Sequence, residues 1–224
     1  MTTSGSGRGW FLTIEGPEGA GKTSQARRLA DEVAAAGREV VLTREPGGTP
    51  LGERIRDLLL GTGPETHDPR SDALLFNAAR ARIVADVIVP ALARGAVVIA
   101  TRFADSTLAY QGYGAGLPLD ELRALESFAT GGLRPDRTVL LDLPVEVGLA
   151  RKSGDEVTRF ESDLDVAFHR RVRDGFLALA RAEPERYRVV DAAADPDAVY
   201  RAVVAAAGVP GVEASIVAET PPAG

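Results

Sequence analysis

The chain has 224 residues, a formal net charge of −6 and no cysteine, with a sequence pI near 5.1. That length fits one α/β domain with a substantial core. The acidic balance argues against a nucleic-acid-binding surface, and the lack of cysteine excludes disulfides, thiolate metal sites and cysteine nucleophiles. No apolar run approaches the roughly 20 residues that span a bilayer. The start of the chain lacks the layout of a signal peptide, so a soluble, cytoplasmic protein is expected.

Residues 1–8 read as a flexible leader rich in Gly and Ser. From residue 9, apolar strands alternate with helical patterns, the signature of a parallel sheet with crossover helices. Strands are predicted at 10–15, 39–43, 96–101, 137–142 and 186–190. Helices are predicted near 22–36, 50–60, 71–93, 118–130, 144–152, 162–182 and 195–207. Gly37 and Gly95 stand where helices stop. Residues 208–224, with Pro210, Pro221 and Pro222 among small residues, read as a disordered tail. A single domain is therefore expected over 9–207.

The first strand runs into Gly16-Pro17-Glu18-Gly19-Ala20-Gly21-Lys22-Thr23-Ser24. This is a GxxxxGKT phosphate loop, and it sits between a strand and a helix as its mechanism requires. Glycines let the backbone curl so that successive N–H groups face an anion, and the following helix adds its positive N-terminal end. Lys22 can then reach the β- and γ-phosphates, while the Thr23 hydroxyl can ligate magnesium. Only two lysines occur, Lys22 and Lys152, which makes an incidental lysine at this spot a poor explanation. The loop alone implies a nucleoside phosphate.

Four further segments narrow that reading. They are Thr43-Arg44-Glu45-Pro46-Gly47-Gly48-Thr49-Pro50, Leu74-Leu75-Phe76-Asn77-Ala78-Ala79-Arg80-Ala81, Thr101-Arg102-Phe103-Ala104-Asp105-Ser106-Thr107-Leu108-Ala109-Tyr110-Gln111-Gly112, and Thr158-Arg159-Phe160-Glu161 before a helix with Phe168-His169-Arg170-Arg171-Val172. In this order and spacing the chain resembles bacterial thymidylate kinases from about residue 10 to 207. The resemblance implies a P-loop nucleoside monophosphate kinase fold with a five-stranded parallel sheet flanked by helices. It also implies ATP and Mg2+, a deoxynucleoside monophosphate acceptor (dTMP), and a homodimer.

The same resemblance implies residue roles. Phe76 would stack on the base and Arg80 would hydrogen-bond its edge. Arg102 would clamp the acceptor phosphate, with Arg44 approaching it. Ser106, Thr107, Tyr110 and Gln111 would line base and sugar, and Tyr110 would crowd a ribose 2′-hydroxyl. Glu18 would accept a hydrogen bond from the sugar 3′-hydroxyl. With an acid and no arginine in the loop, the chain resembles the type whose catalytic arginines sit in a mobile lid. That lid is placed at about 150–161, with Arg151 and Arg159 as the catalytic cations beside Lys22 and Arg102.

The pattern departs from the family at three positions. Thr101 stands where the family has an aspartate that helps order magnesium, and Thr158 replaces an aspartate in a weakly basic lid. Ala79 stands where an aspartate precedes the base-reading arginine, leaving Arg80 without that orienting partner. Glu15 and Asp142 are either charge replacements or ordinary strand-end acids. Two alternatives stay open at this point: a kinase for another pyrimidine or modified deoxynucleotide, for which Asn77 and Ala79 speak, and a low-activity nucleotide-binding paralogue.

Overall fold

Successive residues of strand β1 (Trp10–Glu15) point to opposite faces of a sheet, and both faces are buried, which explains a strand apolar nearly throughout. In the computed structural model, described over residues 9–61, 68–152 and 165–212, β1 lies at the centre of five parallel strands. The others are β2 (Val40–Arg44), β3 (Val97–Thr101), β4 (Arg137–Asp142) and β5 (Tyr187–Asp191), in the order β2-β3-β1-β4-β5. Helices α1 (Lys22–Ala35), α2 (Pro50–Leu60), α3 (Pro69–Ile83), α4 (Val89–Ala93), α5 (Ala104–Thr107), α6 (Leu119–Thr130), α7 (Val145–Ala150), α8 (Val166–Ala182) and α9 (Pro196–Ala207) flank it.

One layer packs Leu12, Ile14, Val97, Ile99, Val139 and Leu141 against α1 and α9 through Leu29, Val33, Val199 and Val203. On the other face Phe11, Val98 and Ala100 meet Ile83, Ile88 and Phe103. Leu140 meets Leu108, Phe168, Val172 and Phe176 there. Thr13 and Thr138, both fully buried, satisfy each other across β1 and β4 with hydroxyls 2.8 Å apart. Since β1 pairs with β3 on one side and β4 on the other, successive crossovers diverge from its C-terminal edge. That divergence opens a crevice where ligands of open α/β sheets bind.

The structure departs from the sequence expectations in three places. The helix expected over 71–93 is continuous in direction but carries a π-helical segment, Val84–Ile88, just before Pro90. Proline lacks an N–H and crowds the carbonyl four residues back, and one wider turn accommodates both demands. The stretch after β3 is also helical: α5 leads into a second π-helical segment, Leu108–Gly114, which no periodicity announced. Finally, residues 208–212, expected in the tail, pack on the core, with Val209 and Val212 each 1% exposed. Residues 1–8, 213–224 and all of the expected lid beyond Lys152, including Thr158 and Arg159, lie outside the described residues.

Candidate nucleotide site

At the C-terminal edge of the sheet lies a cavity of about 640 Å³. The phosphate loop forms its floor. Gly21 closes the loop at φ 80° and precedes α1 with no side-chain cap, whereas α2, α3, α8 and α9 are capped by Thr49, Asp68, Asp165 and Asp195. The first N–H groups of α1 are thus left for an anion. Glu18, Gly19, Ala20, Gly21, Lys22, Thr23 and Ser24 all border the cavity. The loop's centre rests on α7: a Cβ on Gly19 would lie 1.9 Å from the Gly148 carbonyl oxygen.

Lys22 curls back over the loop and donates to the carbonyls of Gly16 (3.0 Å) and Pro17 (2.7 Å). Burial, reinforced by the neighbouring Arg102 guanidinium, pulls its pKa down to about 7, against the opposing pull of Glu18 and Glu15. A phosphate arriving here meets a lysine readily recharged by an anion.

Arg102 follows β3 in a left-handed backbone conformation, φ 68°, which is strained for a residue with a Cβ and is found chiefly where function needs it. Its N–H donates to the Ile14 carbonyl (3.1 Å). The side chain is thereby sent across the sheet edge to Glu18. There Nη2 donates to Glu18 Oε1 (2.5 Å) and to the Tyr110 hydroxyl (3.1 Å). Tyr110 in turn donates to the same Glu18 oxygen (2.7 Å), while its ring packs near Phe168 and Phe176. Tyr110 is therefore both a packing residue and part of the site. Burial would raise the Glu18 pKa, but Arg102, then Lys22, Tyr110 and Lys152, hold it well below the usual carboxylate range.

Phe76, Arg80, Ser106, Thr107 and Gln111 also line the cavity, as do Arg44, Thr101 and Arg151. Every site residue expected from sequence within the described residues is therefore brought to one cavity or to the loop backbone that floors it. Two are held differently from expectation. Arg44 is half exposed and tied to Glu53 (2.8 Å), at the rim. Arg151 donates to the Ala192 carbonyl (3.0 Å) beyond β5, so α7 presents it at the edge.

Arg80 is 1% exposed and has orienting partners despite Ala79. Its Nε donates to Glu45 (2.8 Å), Nη1 to Thr107 (3.0 Å) and Asn77 (3.2 Å), and Nη2 to the Phe103 carbonyl (3.0 Å). Ala79 faces Ile55 and Leu59 of α2 instead, and the Asn77 amide is spent on Arg80 and the Ala73 carbonyl. Neither borders the cavity.

The candidate charge replacements are engaged elsewhere. Glu15, fully buried, accepts from the Phe103 N–H and the Ser106 hydroxyl, both at 2.7 Å, and burial pushes its pKa up to about 7. Asp142 forms a two-bond pair with Arg173 at 2.7 and 2.8 Å. Both are strand-end acids with structural partners. The sequence pattern did not single out Glu45, Arg56 or Lys152, which border the same cavity. Arg56 shares a helix stripe with Leu60 and donates to the Pro46 carbonyl (2.9 Å). Lys152 Nζ lies 3.9 Å from Glu18.

Four similarities bear on this site. The thymidylate kinase family profile matches residues 14–203. The chain is 58% identical over 186 residues to a thymidylate kinase of Pseudomonas fluorescens (strain SBW25), covering 83% of this chain and 88% of that one. It is 54% identical over 196 residues to a thymidylate kinase of Thermomicrobium roseum, covering 87% and 92%. The crystal structure of thymidylate kinase from Ehrlichia chaffeensis superposes with a TM-score of 0.69 at 35% identity, covering 82% of this chain and 93% of that one. A phosphate loop that shares one crevice with Arg102 and Arg80 agrees with these likenesses, and the chain belongs to the thymidylate kinase family.

Proposed function

We propose that the protein transfers the γ-phosphoryl group of ATP to dTMP, giving dTDP and ADP. The observation that carries this reading is the single cavity that runs from the uncapped start of α1, past Arg102 and Glu18, to Phe76 and Arg80. A donor triphosphate on the loop and an acceptor nucleotide on Phe76 would meet between Lys22 and Arg102. Transfer is direct, with no covalent enzyme intermediate, so catalysis is positioning and electrostatics. Lys22 stabilises charge on the moving group while Arg102 holds the acceptor phosphate in line. Glu18, displaced from Arg102 by that phosphate, turns to the sugar hydroxyl. The remaining positive charge is assigned to Arg151 and to Arg159 of the lid expected over 150–161.

Magnesium fits the donor set here only as an ion carried on the nucleotide. Thr23 and Thr101 offer hard hydroxyl oxygens at the cavity wall, and among the described residues no group of three acidic or histidine side chains is placed to hold a metal. When bound, the ion would neutralise charge on the β- and γ-oxygens. A homodimer is supported by the exposed apolar side chains Leu51, Leu58, Leu74 and Phe128 on α2, α3 and α6, Phe128 being 89% exposed. A cytoplasmic location is consistent with the finding that no described helix is long and apolar enough to cross a membrane.

The test is ADP release, with dTDP identified as product, across dTMP, dUMP and dCMP with ATP and magnesium. A clear dTMP preference, abolished by Arg102→Ala, is expected. Binding of both nucleotides without turnover would sink the reading.

A further inference from the structure

Arg80 and Glu45 lie 35 residues apart in sequence, on α3 and just past the end of β2, and meet where side-chain exposure is 1% and 3%. A guanidinium carries five N–H donors in a rigid fork. The Nε–H goes to Glu45, the two on Nη1 to Asn77 and Thr107, and one on Nη2 to the Phe103 carbonyl. A single Nη2 proton is left for a ligand. Such a donor matches a carbonyl oxygen and repels an amino group. At the 4-position of a pyrimidine, thymine offers an acceptor and cytosine a donor.

Glu45 has little else to do. Among the described residues its buried Oε1 has no hydrogen-bond partner and its Oε2 has only Arg80. Its backbone N–H donates to the Thr101 carbonyl (3.0 Å), which fixes the residue against the sheet edge. A buried carboxylate with one side-chain partner costs desolvation that a purely structural contact would not repay. The other three contacts to Arg80 come from α3 itself and from the segment after β3, so among the described residues Glu45 alone ties the guanidinium to the end of β2.

We propose that Glu45 is a positioning residue that holds Arg80 as a one-proton donor, and so sets the preference for a 4-oxo over a 4-amino pyrimidine monophosphate. This rests on Arg80 as the base-reading group, and the two ideas can fail separately.

The experiment compares kcat/KM for dTMP and dCMP in the full-length wild type, Arg80→Ala, Glu45→Ala, Glu45→Asp and the Glu45→Ala/Arg80→Ala double variant, with the KM for ATP and thermal melting alongside. Glu45→Ala is expected to lower the dTMP to dCMP ratio about tenfold, the scale typical of losing a partner that orients a ligating group. The loss should fall on the KM for dTMP and leave the KM for ATP unchanged. The double variant should match Arg80→Ala. Glu45→Asp keeps the buried charge but withdraws it by one methylene. It should lower the ratio too, and it carries the test if the alanine variant does not fold. An unchanged ratio in Glu45→Asp or a folded Glu45→Ala, while Arg80→Ala changes it, overturns the proposal and leaves the Arg80 reading standing. An unchanged ratio in Arg80→Ala overturns both.

Discussion

Gly148 offers a test of how tightly the phosphate loop is seated. It lies in α7 with an ordinary helical backbone, so alanine there brings no conformational strain and by propensity alone would stabilise by about 0.5–1 kcal/mol. Yet an added Cβ would sit 2.2 Å from the Glu18 carbonyl oxygen. Carbon and oxygen do not approach much closer than about 3.3 Å, so loop and helix must part by about 1 Å. Both atoms belong to backbone, and no side chain can rotate away. Overpacking of this kind costs about 1–3 kcal/mol, which outweighs the helical gain. The larger effect falls on chemistry, because the displaced segment carries Glu18 and the turn toward Lys22. A misplacement of about 1 Å costs on the order of 10²-fold in rate, or about 2.7 kcal/mol of transition-state stabilisation. Coupled ADP-release kinetics and thermal melting of Gly148→Ala measure both terms. Kinetics within twofold of wild type would refute the claim that this contact sets the loop's position.

Other perturbations separate the remaining roles. ATP affinity should depend on pH through Lys22: with a pKa near 7, its charge is present below that pH and lost above it, so affinity is highest below 7 and falls as pH rises. A bound triphosphate raises the pKa again, so binding takes up a proton; calorimetry in buffers of different ionisation enthalpy would show this, and pH-independent affinity without uptake would count against it. Thr101→Asp should raise magnesium affinity or rate, and no gain in a magnesium titration would contradict the role given to that strand end. Phe76→Ala should raise the KM for dTMP by about 5- to 150-fold, given about 1–3 kcal/mol for stacking a base on an aromatic ring, and an unchanged KM would place the base elsewhere. Asp142→Ala should lower the melting temperature through loss of the Arg173 pair while leaving kcat unchanged, whereas a kcat loss would return Asp142 to the reaction.

The parts of the site legible in the sequence are those fixed by local spacing. The phosphate loop needs its residues consecutive, and Arg102 and Ser106 follow one strand directly. Phe76 and Arg80 lie one turn apart on one helix, so each motif carries its own geometry. What stayed hidden depends on pairs distant along the chain. Glu45 has no evident role in its segment until the fold brings it to α3, and then it is the ion partner of Arg80. Gly148 reads as a weak helix residue until its closeness to Glu18 is seen. The π-helical turn at Leu108–Gly114 escaped because period arguments recognise only the regular helix and the strand. Ala79 shows the opposite error: its place beside Arg80 in sequence implied an electrostatic role, but adjacent helical residues point about 100° apart, and it faces α2.

The charges around Glu18 explain how one small pocket can take two polyanions without leaving buried cations uncompensated. Arg102 is paired with Glu18, and Lys22 is held by two backbone carbonyls. Each cation that a phosphate needs therefore already has a partner from the loop itself. Binding is an exchange of partners rather than the first satisfaction of a bare charge, so much of the desolvation cost has been met in folding. The exchange is also ordered by geometry. In the proposed reading, an acceptor phosphate that takes the Arg102 Nη2 donor displaces Glu18, and the carboxylate, still beside Tyr110 and Lys152, gains from a further hydrogen-bond donor. A sugar hydroxyl on the same acceptor can supply it. An acceptor lacking that hydroxyl would leave Glu18 short of a donor in a buried site, at a cost of about 1–3 kcal/mol. In the proposed reading, the acid at the centre of the phosphate loop would link recognition of the acceptor's phosphate to recognition of its sugar.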